Sequence, residues 1–296
     1  MNKLLQKLTD TLFLLIVAAL PHHLLSRIVH AITRSENRLL SQTLIRLACN
    51  LYKIDLSIAA NPEIKSYRSF NSFFTRELNP TSRPFSGDAT TLISPVDGTV
   101  SQQGEICQQA IFQAKGHSFN LTTLLGGISE RATPFMDGKF STIYLSPRNY
   151  HRIHMPTDGT LREMIYIPGR LYPVNNPSTR TVPGLFARNE RVATLFDTAA
   201  GPMAMVLVGA LFVGSIETVW AGEITPPGTK FVHTWKYDGD GAESITLKKG
   251  EEMGRFNMGS TVILLFGKEA INFADEFQSG LPLKMGESIG GFDQTD

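Results

Sequence analysis

This sequence predicts an α+β protein: an N-terminal helical region followed by a mostly antiparallel β domain. Two patterns carry that prediction. From residue 4 to residue 56, leucine and isoleucine recur at helical spacing. Past residue 90, short apolar runs alternate with Gly, Pro, Asn and Asp turn signals. Composition agrees with both. The chain has 296 residues, 42% of them hydrophobic and 19% charged. That is leaner in charge than the roughly 25% of a typical soluble domain, and the chain is long enough to bury a substantial core. The turn signal Asn61-Pro62 divides a region 1–62 from a region 63–296.

Within the first region, Leu4, Leu5, Leu8, Leu12, Leu15 and Ile16 line one helical face, away from Lys3, Lys7 and Asp10. The apolar run from Leu12 to Leu20 is nine residues, too short for the about 20 that span a bilayer. Lys3, Lys7, Arg27 and Arg34 against Asp10 give residues 1–35 a local charge of +3. A cleaved signal peptide, a buried structural helix and an interfacial helix all fit this stretch. The last fits best, with its cations meeting anionic lipid. Pro21 stops that helix. A second helical pattern runs from Leu24 to Leu56, its apolar face supplied by Leu39, Leu40, Leu44, Leu47, Leu51 and Leu56.

In the second region, Ser141 to Leu145, Met203 to Val208, Leu211 to Val213 and Thr261 to Phe266 read as strands. Turn signals such as Asp158-Gly159 and Gly201-Pro202 lie between them. Strands punctuated this often imply a meandering antiparallel domain. Several function classes fall away. Lys plus Arg number 28 against 27 Asp plus Glu, so the basic excess of a nucleic-acid binder is missing. Cys49 and Cys107 form no C-x-x-C pair, which argues against a thiolate zinc site or a disulfide framework. Neither Gly-rich phosphate-loop pattern is present.

Seven histidines occur. His22, His23 and His30 belong to the helical region. His151 and His154 follow a strand, between Pro147 and Pro156, where a turn would let both face one pocket. A His-x-x-His pair alone is weak as a metal half-site, and no metal is expected. Asp97 sits before Gly98 and Ser260 after Gly259, both at strand entrances, where each is an ordinary turn residue. Chemically, Asp97, His154 and Ser260 also suit a nucleophilic triad, with Asp orienting His and His deprotonating Ser. An α/β-hydrolase is excluded: there is no G-x-S-x-G elbow, and Ser260 leads into a strand.

Taken together, the runs from Tyr67 to Leu78, Ser94 to Val100, Lys115 to Leu125, Tyr144 to Pro156, Phe186 to Val192 and Met258 to Thr261 resemble the phosphatidylserine decarboxylases. This is a pyruvoyl-dependent family, and the resemblance is to its bacterial and mitochondrial type. It covers most of residues 67–266 in family order. Met258 departs from the leucine common in the family, a swap that conserves volume.

The resemblance implies that the chain is a self-cleaving precursor. The Gly259–Ser260 bond is then the cleavage site, giving a β chain 1–259 and an α chain 260–296. Asp97, His154 and Ser260 are the charge-relay set, and Ser260 becomes the pyruvoyl group. Ser260 would attack the Gly259 carbonyl to give an ester, and elimination and hydrolysis would follow. The pyruvoyl group would then form a Schiff base with phosphatidylserine and release CO2, leaving phosphatidylethanolamine. His151 is the candidate proton donor, with His117 second; Arg148 and Arg152 are candidate phosphate contacts. The expected setting is an anionic membrane surface, peripheral on the cytoplasmic side of the inner membrane. A homodimer of processed units is the expected assembly. Two other readings stand beside this one: a membrane-associated serine hydrolase and a non-enzymatic lipid-surface domain.

Overall fold

Thr261–Phe266, Thr-Val-Ile-Leu-Leu-Phe, is apolar after its first residue and buried at every position. Such a run suits a central strand covered on both faces rather than one with a solvated side. The computed structural model describes residues 20–85, 87–114, 116–212, 215–225, 229–237 and 244–293, and it places this strand in the middle of the main sheet. The six long strands are β1 (Gly98–Glu105), β2 (Lys139–Tyr144), β3 (Gly159–Ile167), β4 (Arg191–Thr198), β5 (Gly201–Val208) and β6 (Thr261–Phe266). Their order is β3-β4-β5-β6-β2-β1, every pairing antiparallel. Thr261 lies opposite Tyr144 on one side and Val208 on the other, and the ladder continues to Phe266 opposite Lys139 and Met203. Short strands extend both edges: His233–Lys236 beyond β3 and Pro282–Leu283 beyond β1.

A second sheet carries Arg152–His154 at one edge, beside Glu252–Phe256 and Ile216–Thr218. The backbone N–H of His154 donates to the Pro95 carbonyl at 2.9 Å, which ties this sheet to the turn holding Asp97. One large core, including Ile143, Met164, Phe196, Val206, Ile263 and Phe266, fills the domain. The expected Leu211 to Val213 strand is not formed: Leu211 and Phe212 lie in a turn, and Phe212 has a φ of 67°. Val213 lies outside the described residues.

The helical region is α1 (His22–Thr33) and α2 (Arg38–Tyr52). The single pattern expected from Leu24 to Leu56 is thus broken. Asn37 starts α2 by accepting hydrogen bonds from the N–H groups of Leu39 and Leu40, both at 3.1 Å. Both helices face the protein with their smaller or more polar residues. In α1 the buried positions are His22, Ser26 and Thr33, and in α2 they are Ser41, Ile45 and Ala48. The leucines point outward: Leu39 is 83% exposed, Leu47 59% and Leu51 66%. α2 rests on Phe73 and Phe74 of the short helix α3 (Phe70–Phe74). No helix among the described residues is long and apolar enough to cross a membrane. The expected interfacial helix from Leu4 to Ile16 lies outside the described residues.

Candidate active site

Ser260 is fully buried at the entrance to β6. Its carbonyl accepts from the Leu145 N–H at 2.8 Å, and its hydroxyl donates to the Val208 carbonyl. Gly259 is where side chains crowd the backbone. A Cβ added there would lie 2.5 Å from His151 Nε2 and 3.2 Å from the Leu145 carbonyl oxygen. Only glycine lets the imidazole come this close to the backbone at the Gly259–Ser260 bond.

His151 is itself fully buried, and its Nε2 has no hydrogen-bond partner. Its ring stacks on Phe74, with centroids 4.0 Å apart. Burial first, then the positive charge of Arg76, pushes its pKa down to about 3, against a small opposing pull from the Asn149 carbonyl. The ring is therefore neutral at neutral pH, with a nitrogen turned toward the scissile position.

His154 has the opposite surroundings. Its Nδ1 faces the Gly250 carbonyl at 2.8 Å. A carbonyl only accepts, so Nδ1 carries the proton. Nε2 is then the acceptor for the Tyr150 hydroxyl, 2.9 Å away. Burial lowers the His154 pKa and raises that of Tyr150, so both stay neutral. Asp97 receives Arg83 in a two-pronged ion pair at 3.1 and 2.7 Å, and the Met285 N–H at 2.8 Å. Asp97, His154 and Ser260 are thus not joined to one another by hydrogen bonds in the uncleaved chain.

The remaining sequence candidates separate by environment. Arg148 is exposed. Arg152 is held by Glu252 at 2.7 Å, Glu77 at 3.0 Å and the Thr75 carbonyl at 2.9 Å. His117 opens the second strand of a hairpin with Ala110–Ala114, and among the described residues no hydrogen bond links it to His151, His154 or Ser260. Arg76 is a site residue that the sequence reading passed over. It is 4% exposed, its Nε and Nη1 lack partners, and its guanidinium lies 5.4 Å from the centre of the Phe73 ring. Its place in the Phe-Phe-Thr-Arg run was the available signal, and a buried cation cannot be told from a solvated one by sequence. Among the described residues, no three His, Cys, Asp or Glu side chains converge as metal ligands.

A cavity of about 230 Å³ opens onto Gly259, lined by Tyr52, Phe70, Phe74, Tyr144, Phe212 and Met258 among others. It lies between α2 and the bond, and its wall is mainly apolar.

The family model described as phosphatidylserine decarboxylase matches residues 70–291, and a second, described as PSD, matches residues 12–53. A phosphatidylserine decarboxylase proenzyme of Idiomarina loihiensis is 50% identical over 288 residues, 97% of this chain and 99% of the relative. The protein of that name from Shewanella baltica is 54% identical over 271 residues, covering 91% and 93%. That from Ectopseudomonas mendocina is 49% identical over 279 residues, covering 94% and 97%. With a family model matched over residues 70–291 and identities of about half over more than nine-tenths of its length, the chain belongs to the phosphatidylserine decarboxylase family.

Proposed function

We propose that this chain is a proenzyme that cuts itself between Gly259 and Ser260 and then decarboxylates phosphatidylserine to phosphatidylethanolamine. The observation that carries the reading is the contact of a neutral, unpartnered His151 with the glycine of a buried Gly-Ser bond, at the mouth of an apolar cavity. Residues 63–296 form the catalytic domain in this proposal, and residues 1–62 bring it to the membrane.

A pyruvoyl group derived from Ser260 suits the surroundings. Residue 260 would begin a strand fixed on both edges, so a new N-terminus there stays in place, and the cavity wall leaves the approach to Gly259 open. Once formed, that group supplies the electron sink for loss of CO2. The protein's own residues do the rest. His151 stands where a proton must be delivered or removed beside the bond. His154 and Asp97 are the proposed charge relay, and the Tyr150–His154 hydrogen bond must open for His154 to act as a base. The Phe70, Phe74 and Met258 wall excludes water, which makes each charge near the bond more effective. The outward leucines of α1 and α2 support peripheral attachment at an anionic surface, on the cytoplasmic face of the inner membrane.

Intact-protein mass spectrometry of the wild-type chain beside Ser260→Ala tests this. Two pieces split after Gly259, with a blocked start on the smaller one, are expected from the wild type, and a single chain from the variant. A wild-type chain that stays whole, with a fluorophosphonate-reactive Ser260, would establish the hydrolase reading instead.

A further inference from the structure

Among the described residues, Arg76 is a buried cation without an ion-pair partner. The carboxylates near it are engaged elsewhere: both oxygens of Asp97 hold Arg83, Glu77 and Glu252 hold Arg152, and Asp55, whose charge also bears on Arg76, is exposed and accepts from the Ser57 N–H in its own turn. The other groups whose charges bear on it are Cys49, Tyr67 and Tyr150, and burial keeps all three neutral. An unpaired charge in such a place is costly, and the Phe73 ring face offsets only part of that cost. Among the described residues, no anion completes this site.

Cleavage makes the missing anion a short way off. Arg76 lies over the Phe73 ring and its charge reaches His151; Met258 packs against the cluster that holds Phe73 and Phe74, and Gly259 lies against His151, which stacks on Phe74. We infer that Arg76 is the receptor for the Gly259 carboxylate released by self-cleavage. The inference rests on the reading that the chain cuts itself.

In the releasing step a base takes the Cα proton of residue 260, and the C–H electron pair becomes a Cα=Cβ bond. The Cβ–Oγ bond breaks, and Gly259 leaves as a carboxylate carrying that oxygen and the bonding pair. A fixed guanidinium stabilises this leaving group as its charge develops. Pairing afterwards holds the new C-terminus beside α3, clear of the cavity, and takes the field of Arg76 off His151. In this scheme Arg76 contacts the carboxylate that leaves during self-cleavage and takes no part in binding phosphatidylserine.

The test compares Arg76→Met in two backgrounds of the full-length chain: the Ser260→Ala precursor and the self-processing protein. In the precursor, melting temperature should hold or rise, because an unpaired buried charge is removed. In processed protein it should fall by about 5 °C or more, because a buried pair is broken. A precursor that folds but cleaves at least tenfold more slowly, with partial recovery in Arg76→Lys, also supports the pairing. Equal shifts in the two backgrounds at an unchanged cleavage rate would overturn it, as would a precursor that Arg76→Met unfolds. Wild type that never cleaves would sink the underlying reading itself, a result distinct from either of those.

Discussion

The two sides of the Gly259–Ser260 bond are built differently. After the bond, the chain is woven into the fold. β6 pairs over six residues with β2 and over six with β5. Pro282–Leu283 then pairs with β1, and Ser288–Gly291 pairs with Thr91–Ile93. Before the bond, Asn257 to Gly259 lie outside any strand, against an apolar cavity and a histidine whose Nε2 is unpartnered. The contrast teaches how a chain can be cut in its interior and keep its shape. If the chain is cut as proposed, the new N-terminus at 260 is fixed by two ladders, and the freedom that the chemistry requires is concentrated at 259.

The contrast breaks most visibly if the fixed side is loosened. Ile263 is fully buried at the centre of β6. Ile263→Asn loses an apolar side chain and buries an amide lacking partners, for a cost of about 4 kcal/mol. Urea unfolding of the Ser260→Ala precursor measures it. In processed protein the small chain should separate from the large one on gel filtration. A cost below about 1 kcal/mol would mean that β6 is not the anchor.

A smaller effect sharpens the other side. The His151 pKa lies near 3 in the fold and near 6.5 in the unfolded chain, so below pH 6.5 the unfolded state binds the extra proton. Stability is therefore fully present above about pH 6.5 and falls as pH drops toward 3. One such histidine loses roughly 2 kcal/mol between pH 7 and pH 5. His154, also lowered by burial, adds to the slope. His151→Phe keeps a ring against Phe74 and should remove its own share of that loss. Denaturant curves of the precursor at the two pH values check this, and a variant with an unchanged slope would place the burden elsewhere.

How much of this the sequence disclosed follows from the range of the interactions. The bounds of β6 are readable because a continuous apolar run bounded by turns needs no partner to identify it. The α+β order is readable for the same reason. The helix break at Asn37 was missed because one side-chain cap decides it, inside a pattern whose leucine spacing continues past it. The histidines defeat local reasoning altogether. His154 is set by a carbonyl 96 positions away, and His151 by a glycine that arrives from the far end of the chain. Asp97 looks free in its turn motif, and only the fold brings Arg83 and Met285 to it.

The helices carry the smallest expected effect. Leu39, Leu47 and Leu51 read from sequence as the apolar face of a membrane-facing helical unit. Here Ser41, Ile45 and Ala48 take the inner side and the leucines face outward. A face that no described residue covers is where an acyl layer would be met, next to the cavity that α2 helps to wall. Leu47→Ser and Leu51→Ser should each weaken partition onto vesicles containing phosphatidylserine about tenfold, near 1.4 kcal/mol. Melting temperature should hardly change, because neither side chain packs inside. Co-sedimentation with such vesicles, beside vesicles of neutral lipid, separates the apolar contribution from the charge of the basic N-terminal stretch. Unchanged binding in the double variant would leave attachment to residues 1–19 and remove α2 from the membrane surface.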